Sequence, residues 1–383
     1  MMLGRKHLNK MLITPITGIL SPNFINLWMK KNRKDPSRNS LPKPFVHGHP
    51  MQQPHFWFQK NSLLSHLLLP LSGIWLLGTT IRKRFYTRKA VEKPVISIGN
   101  VNIGGTGKTP LAITLIQKLR DEGHNPHIVS RGYGGKLQGP IQVNEKEHSV
   151  RDVGDEALLL ASFGPTWVAR DRYMGAVSAV NEGASIVILD DGHQNLTLEP
   201  TLSIIVVDAV RGFGNKRVIP SGPLREPLSQ ALARVDMVVA VGTETQVERL
   251  QNHFGKDYDL PVIPARLTLL ESGLSLDSQN VVAFAGIGDP SKFRATLNEL
   301  GTNVIKFVPL DDHEVPAESF LLRLEGEARK SNALLITTEK DAVRLNPDWK
   351  KKVLTVPIRL ELNDWDLFDT YFQSKAEGFV NSD

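Results

Sequence analysis

Three groups of residues along this chain combine types and spacings suited to chemistry. The first is Asn102-Ile103-Gly104-Gly105-Thr106-Gly107-Lys108-Thr109, directly after the strand-like run Val95-Ile96-Ser97-Ile98. Glycines let backbone N–H groups crowd around β- and γ-phosphates, a lysine neutralises their charge, and a threonine hydroxyl can sit on Mg²⁺. The template asks for glycine where Asn102 stands; Asn is the residue best able to replace it at positive φ, so the turn is expected to survive. Pro110 suits the first helical turn, Leu111, Leu115, Ile116 and Leu119 recur at helical spacing, and Gly123 is the expected stop. Strand, loop and helix in that order put the loop at a helix N-terminus, where the dipole also favours phosphate. Residues 102–109 are therefore expected to bind a nucleoside triphosphate.

The second group is Asp190-Asp191, delivered by the apolar run Ile186–Leu189 to the strand end where open α/β sheets hold their ligands. It resembles a Walker B element. Successive strand residues face opposite ways, so one aspartate reaches Mg²⁺ or its waters while the other orients, and either assignment is open. The third group pairs Gly154-Asp155-Glu156, at the start of the helical run Ala157–Ala161, with Asp312-His313, after the run Val304–Val308. Each alone is an ordinary structural feature. Brought together across a cleft, a carboxylate and a histidine make a general base for a hydroxyl nucleophile. Ser130-Arg131-Gly132-Tyr133-Gly134-Gly135, Arg170-Asp171-Arg172 and Gly222-Pro223-Leu224-Arg225-Glu226 add guanidinium forks for phosphate, and Thr337-Thr338-Glu339-Lys340-Asp341 is expected to brace the cleft.

The elements that must position these groups follow from apolar periodicity. Between Pro94 and Leu274, the runs Val95–Ile98, His127–Ser130, Ile186–Leu189, Ser203–Val207 and Met237–Val241 alternate with helix-like stretches, which implies a parallel sheet flanked by helices. A second series comprises Val282–Ala285, Val304–Val308, Leu334–Thr337 and Val353–Ile358. The expected fold is α/β: a P-loop NTPase-like core over 94–278, a smaller α/β domain over 279–383 closing the cleft, an anchoring helix with a basic flank over 54–93, and a disordered basic extension over 1–53, for which Met51 is an alternative start.

With 383 residues the chain has room for two domains, and the absence of cysteine excludes disulfides, thiolate catalysis and cysteine-bound zinc. The net charge of +6 is unevenly spread. Residues 1–93 hold 16 Lys+Arg against 2 Asp+Glu, whereas 94–383 hold 30 against 38. An acidic body excludes a nucleic-acid binder, and a basic N-terminal segment favours anionic phospholipid. The 21 residues Asn61–Ile81 contain no Lys, Arg, Asp or Glu, a length able to span a bilayer, but Pro70, Gly73 and several hydroxyl residues also suit a shallow anchor. The cluster Arg82, Lys83, Arg84, Arg88 and Lys89 puts the folded body on the cytoplasmic side.

Taken together, the ordered set resembles the tetraacyldisaccharide 4′-kinase family, which phosphorylates the lipid A precursor at the bacterial inner membrane. The resemblance rests on Ser97-Ile98-Gly99-Asn100 leading into Gly104–Pro110, on Ser130–Gly134, Gly154–Glu156, Asp190-Asp191-Gly192-His193-Gln194, Pro223–Glu226, Asp312-His313 and Thr338–Asp341, and covers about residues 56–375. It implies ATP and Mg²⁺ as cofactors and a lipid-linked disaccharide as substrate, with no obligate protein partner. It further implies that Asp155 acts as general base with His313, that Lys108 serves the transferred phosphate, and that Thr109, Asp190, Asp191, Gln194 and Glu226 surround the metal. Arg170 and Arg225 then balance phosphate charge; His193 stands where relatives often have an aromatic residue and receives no role.

Two other nucleotide-binding classes fit less well. Partner-switching ATPases need a lysine at the position of Ile103, and regulatory GTPases need an Asn-Lys-x-Asp motif that does not occur.

Overall fold

The structure, a computed structural model, describes residues 53–254, 258–270 and 276–380. The expected N-terminal extension and its alternative start fall outside the described residues, apart from Gln53.

Continuous apolar runs form strands buried on both faces, and parallel pairing follows from that double burial. Nine strands make the larger sheet: β1 (Val95–Gly99), β2 (Pro126–Ser130), β3 (Ile141–Gln142), β4 (Thr166–Val168), β5 (Ile186–Leu189), β6 (Leu202–Asp208), β7 (Met237–Val241), β8 (Val262–Leu269) and β13 (Ile358–Leu362). Their order is β13-β8-β7-β6-β1-β5-β2-β4-β3, parallel except where β13 and β3 join the two edges antiparallel. A second, all-parallel sheet runs β10-β9-β11-β12, from β9 (Asn280–Ala285), β10 (Asn303–Pro309), β11 (Leu334–Thr338) and β12 (Leu354–Val356).

β1 lies between β5 and β6, so successive connections depart to opposite sides of it. That is the topological switch point at which doubly wound sheets bind ligands. The helix Lys108–Asp121 follows β1 and buries Leu111, Leu115, Ile116 and Leu119 in one cluster with Ile96 and Ile98. It ends where Gly123 takes φ 86°: Gly123 N–H bonds Arg120 O and His124 N–H bonds Leu119 O, two caps that need a residue without Cβ strain.

The expected run Val353–Ile358 is broken at Pro357, which lacks a donor for the ladder. β12 stays in the small sheet, while β13 crosses to the large one and pairs with β8. Residues 358–380, expected in the smaller domain, thus pack with the first sheet, where Phe368 is buried in its main core. β8 escaped the sequence reading because Pro264 and Arg266 interrupt its apolar run, and β4 because it is only three residues long.

The apolar segment before the core is two helices, Leu63–Leu67 and Leu69–Arg84, the second begun by Pro70 in its first turn. No helix among the described residues is long and apolar enough to cross a membrane. One side of the pair is tied to the core: Ser65 Oγ donates to Ser221 O at 2.6 Å, Ser72 Oγ to Val218 O at 2.8 Å, and Trp75 packs on the cluster around β7. Leu63, Leu67, Leu71, Ile74, Leu77 and Ile81 remain exposed.

Candidate active site

Gly107 takes φ 103° as the cap of the helix Lys108–Asp121, and Gly104 takes φ 110°, so the loop bends at its glycines. Asn102 does not. Contrary to the expectation that it replaces glycine at positive φ, it pairs with Leu224 in an isolated bridge, and its side-chain amide donates to Gly212 O at 2.6 Å. Ile103 N–H donates to Pro223 O at 2.9 Å. An extended Asn102 lays the loop along the segment Gly222–Glu226 and thereby brings Arg225 to it.

At the end of β5 the two aspartates part. Asp190 is buried, accepts from Ser130 Oγ at 3.1 Å, and has its carboxyl pushed up by burial, with Glu156 and Asp191 adding to the rise. Asp191, at φ 48°, turns to the phosphate loop: Lys108 Nζ lies 3.5 Å from its Oδ1 and Arg225 Nη1 donates to Oδ2 at 3.3 Å. Burial raises Asp191, but Lys108 and then Arg225 outweigh it and hold the group at about 2. Arg225 also donates to Gln194 Oε1 at 2.9 Å, and Gln194 Nε2 donates to Asn100 O. Asp191 Oδ1 and Thr106 Oγ1 are buried without a hydrogen-bond partner among the described residues.

Two residues named from sequence are engaged differently from expectation. Glu226 has its oxygens taken by Lys83 at 2.6 Å and Arg234 at 2.7 Å, so it is an ion-pair partner rather than a free metal donor. Arg170 is exposed; the guanidinium beside the aspartates is that of Arg172, buried, with Nη2 donating to Asp190 O at 3.3 Å. His193 packs against Gly99 with Nε2 3.7 Å from Glu226, and burial followed by the charge of Arg234 lowers it to about 4, so it stays neutral.

The second constellation spans the two sheets. Gly154 takes φ 84° and a Cβ there would stand 2.3 Å from Tyr133 O, so the position needs glycine; it precedes the short helix Asp155–Ala161. Asp155, 3% exposed at its side chain, meets His313 Nδ1 at 2.8 Å from the loop after β10. His313 is held at φ 65°, a left-handed conformation rare outside glycine, and its ring lies 5.5 Å from that of Tyr133. Arg344 donates to the same Asp155 Oδ2 through Nε at 2.9 Å and through Nη2. Burial raises Asp155, yet the His313 hydrogen bond and the charges of Lys340 and Arg344 hold it well below the usual carboxylate range.

The segment Thr338–Asp341 braces this cleft as expected. Thr338 caps the turn, Glu339 takes both terminal nitrogens of Arg359 on β13, Lys340 reaches Glu156 at 3.1 Å, and Asp341 accepts from Gly286 N–H. Farther along, Lys292 pairs with Asp208, Arg211 pairs with Asp289 at 2.7 Å, and a Cβ on Gly288 would lie 3.2 Å from Gly105 N. The second sheet therefore presents its loops directly over the phosphate loop.

The glycine loop and the Asp155–His313 pair thus lie on two sides of one cleft. The profile of the tetraacyldisaccharide-1-P 4′-kinase family, LpxK, matches residues 64–377. The chain belongs to this family. It is 48% identical over 320 residues to the tetraacyldisaccharide 4′-kinase of Jannaschia sp. (strain CCS1), covering 84% of this chain and 98% of that one. To the corresponding enzyme of Caulobacter vibrioides (strain NA1000 / CB15N) it is 42% identical over 323 residues, covering 81% and 95%. The fold matches the crystal structure of LpxK from Aquifex aeolicus in complex with ATP with a TM-score of 0.66 at 27% identity, over 82% of this chain and 100% of that one.

Sequence reasoning named Asp155, His313, Lys108, Asp191, Gln194 and Arg225, which the structure groups around one cleft. It missed Arg344 and preferred Arg170 to Arg172. The spacing Asp341 to Arg344, one helical turn, was a signal that the two share a face.

Proposed function

We infer that the chain carries out the reaction of its family, transferring the γ-phosphate of ATP to the 4′-hydroxyl of a tetraacyldisaccharide 1-phosphate to give the bisphosphorylated lipid A precursor. The observation that carries this reading is the Asp155–His313 contact, made across 158 residues and beside the phosphate loop. An ATPase needs no such base for a sugar hydroxyl, and the partner-switching alternative is not favoured.

Backbone N–H groups of Gly104–Thr109 and the Lys108 ammonium cradle the phosphates, and Arg225 neutralises charge at the same end of the cleft. The donor set fits Mg²⁺. Asp191 Oδ1 and Thr106 Oγ1 lack hydrogen-bond partners among the described residues, and Mg²⁺ in phosphate-loop sites takes few protein ligands beside phosphate and water. Asp191 and Thr109 would hold it, with Asp190 and Gln194 fixing its surroundings; when bound it offsets charge developing on the transferred group. The Asp155–His313 pair takes the proton of the attacking hydroxyl as its oxygen meets the γ-phosphorus in line.

The exposed leucine and isoleucine side chains of Leu63–Arg84, with Arg82, Lys83 and Arg84 at its end, suit a helix lying in the headgroup region of an anionic membrane. That position holds the cleft beside a substrate whose acyl chains stay in the bilayer, on the cytoplasmic face of the inner membrane.

The test is to incubate detergent-solubilised protein with labelled ATP, Mg²⁺ and tetraacyldisaccharide 1-phosphate and to resolve the lipids. The expected product is the bisphosphorylated lipid; ATP hydrolysis without lipid phosphorylation would favour the ATPase reading.

A further inference from the structure

The helix Leu69–Arg84 has two faces. Leu71, Ile74, Leu77 and Ile81 are exposed, while Ser72, Trp75, Leu76 and Lys83, also at helical spacing, form a less exposed stripe. That inner stripe is bonded to one place. Ser72 Oγ donates to Val218 O at 2.8 Å and accepts from Ser221 N–H at 3.2 Å. Trp75 Nε1 donates to Arg225 O at 3.0 Å, and Lys83 Nζ donates to Glu226 Oε2 at 2.6 Å. Ahead of the helix, Trp57 Nε1 donates to Pro220 O at 2.9 Å. All these partners lie in the segment 218–226.

The same segment is the wall of the phosphate loop. Leu224 bridges to Asn102, Arg225 N–H donates to Val101 O at 3.0 Å, and Ile103 N–H donates to Pro223 O at 2.9 Å. The main chain of Arg225 is therefore held from both sides, its amide by the residues that lead into the loop and its carbonyl by Trp75. Its guanidinium reaches Asp191 and Gln194. Glu226 faces the other way, between Lys83 and Arg234. A planar fork that holds phosphate works only when it is aimed, and the aim of Arg225 starts from this backbone. A surface anchor requires none of these contacts; any packed side chain at Trp75 would seat the helix.

We propose that Trp75 and Lys83 are positioning residues for the nucleotide half of the cleft: from the inner face of Leu69–Arg84 they fix the main chain at Arg225 and Glu226, and so aim the Arg225 guanidinium at the phosphates of ATP. This rests on the reading of residues 104–109 and Arg225 as the ATP site. Neither residue touches the reacting atoms; both act through Arg225. Trp75→Phe keeps an aromatic ring against the core but removes the donor, leaving the Arg225 carbonyl one partner short. Lys83→Met leaves Glu226 to Arg234 alone and frees the end of the helix. The helix whose outer face suits a lipid surface thus also sets affinity for the nucleotide.

The experiment measures Kd for ATP, with Mg²⁺ present and lipid absent, by calorimetric titration of the full chain in detergent. Trp75→Phe and Lys83→Met are each expected to raise Kd by about 3- to 10-fold, and Lys83→Arg, which keeps the charge, to stay within about twofold of wild type. A double-mutant cycle with Arg225→Gln separates aiming from general loosening. On the Arg225→Gln background Trp75→Phe is expected to change Kd by less than about 1.5-fold, because the group it aims is gone. Folded single variants that bind ATP as the wild type does, with changes confined to KM for the lipid, would make the helix an anchor alone and overturn the proposal. Losses that multiply in the double variant would overturn it too. Should Trp75→Phe fail to fold, Lys83→Met carries the same cycle with the same two outcomes. Failure of the ATP-site reading is distinguishable, because the wild-type chain would then itself give no titration with ATP.

Discussion

The two halves of the cleft are built in opposite ways. The donor half, Gly104–Thr109 with Asp191, is assembled from one strand, one loop and one helix, plus the end of the neighbouring strand β5. It leaves polar atoms such as Asp191 Oδ1 without hydrogen-bond partners among the described residues, ready for a ligand. The acceptor half, Asp155 with His313 and Arg344, is assembled from residues 158 and 189 positions apart, and its carboxylate is saturated before any substrate arrives. On the proposed reading, the half that grips a mobile phosphate needs unsatisfied donors and acceptors, and the half that takes the hydroxyl proton needs fixed ones. The cross-sheet pairs Lys292–Asp208 and Arg211–Asp289 hold the halves in register.

This contrast can be broken from either side. The largest effect is expected at Lys108: Lys108→Met should lower kcat by roughly 10³-fold and weaken ATP binding as well, measured by steady-state transfer and by nucleotide titration, because it strips charge from the donor half. His313→Gln should lower kcat by roughly 10²-fold or more with nucleotide affinity retained. A His313→Gln chain that also lost nucleotide affinity would show that the halves are not separable.

Stability against pH sharpens the same comparison. Asp155 has a folded-state value below its ordinary value of about 3.9, so its ion pair contributes stability fully above about pH 4 that is lost as pH falls through the lower folded value. Thermal melts of the wild-type chain should therefore fall more steeply below about pH 4 than those of Asp155→Asn; parallel curves would remove the ion pair from the account. The smallest effect is expected at the register pairs. Asp208→Asn leaves Lys292 half-exposed and should raise KM for the lipid by no more than about 10-fold, with kcat nearly kept.

The same division explains what the chain revealed before its structure. Gly104–Thr109, Ile186–Asp191 and the helix ended by Gly123 are local, and backbone physics dictates them residue by residue. Asn102 misled because positive φ is only one way to start the loop; pairing with Leu224, 122 positions away, is another, and only tertiary contact selects it. Arg344 was only half legible: Asp341, one helical turn away, signals a shared face, but the Asp155 carboxylate and the Gly286 carbonyl that enclose it are far in sequence. Glu226 was expected near the metal from the family resemblance, and in the structure its oxygens meet Lys83 and Arg234. The crossing of β13 to the large sheet turned on Pro357, which a run of apolar residues concealed.

The account stands most directly on Asp155→Asn, assayed side by side for ATP affinity and for phosphoryl transfer to tetraacyldisaccharide 1-phosphate. It predicts ATP affinity within about threefold of wild type and transfer reduced by roughly 10²- to 10⁴-fold. Transfer at the wild-type rate in a folded Asp155→Asn chain would contradict it.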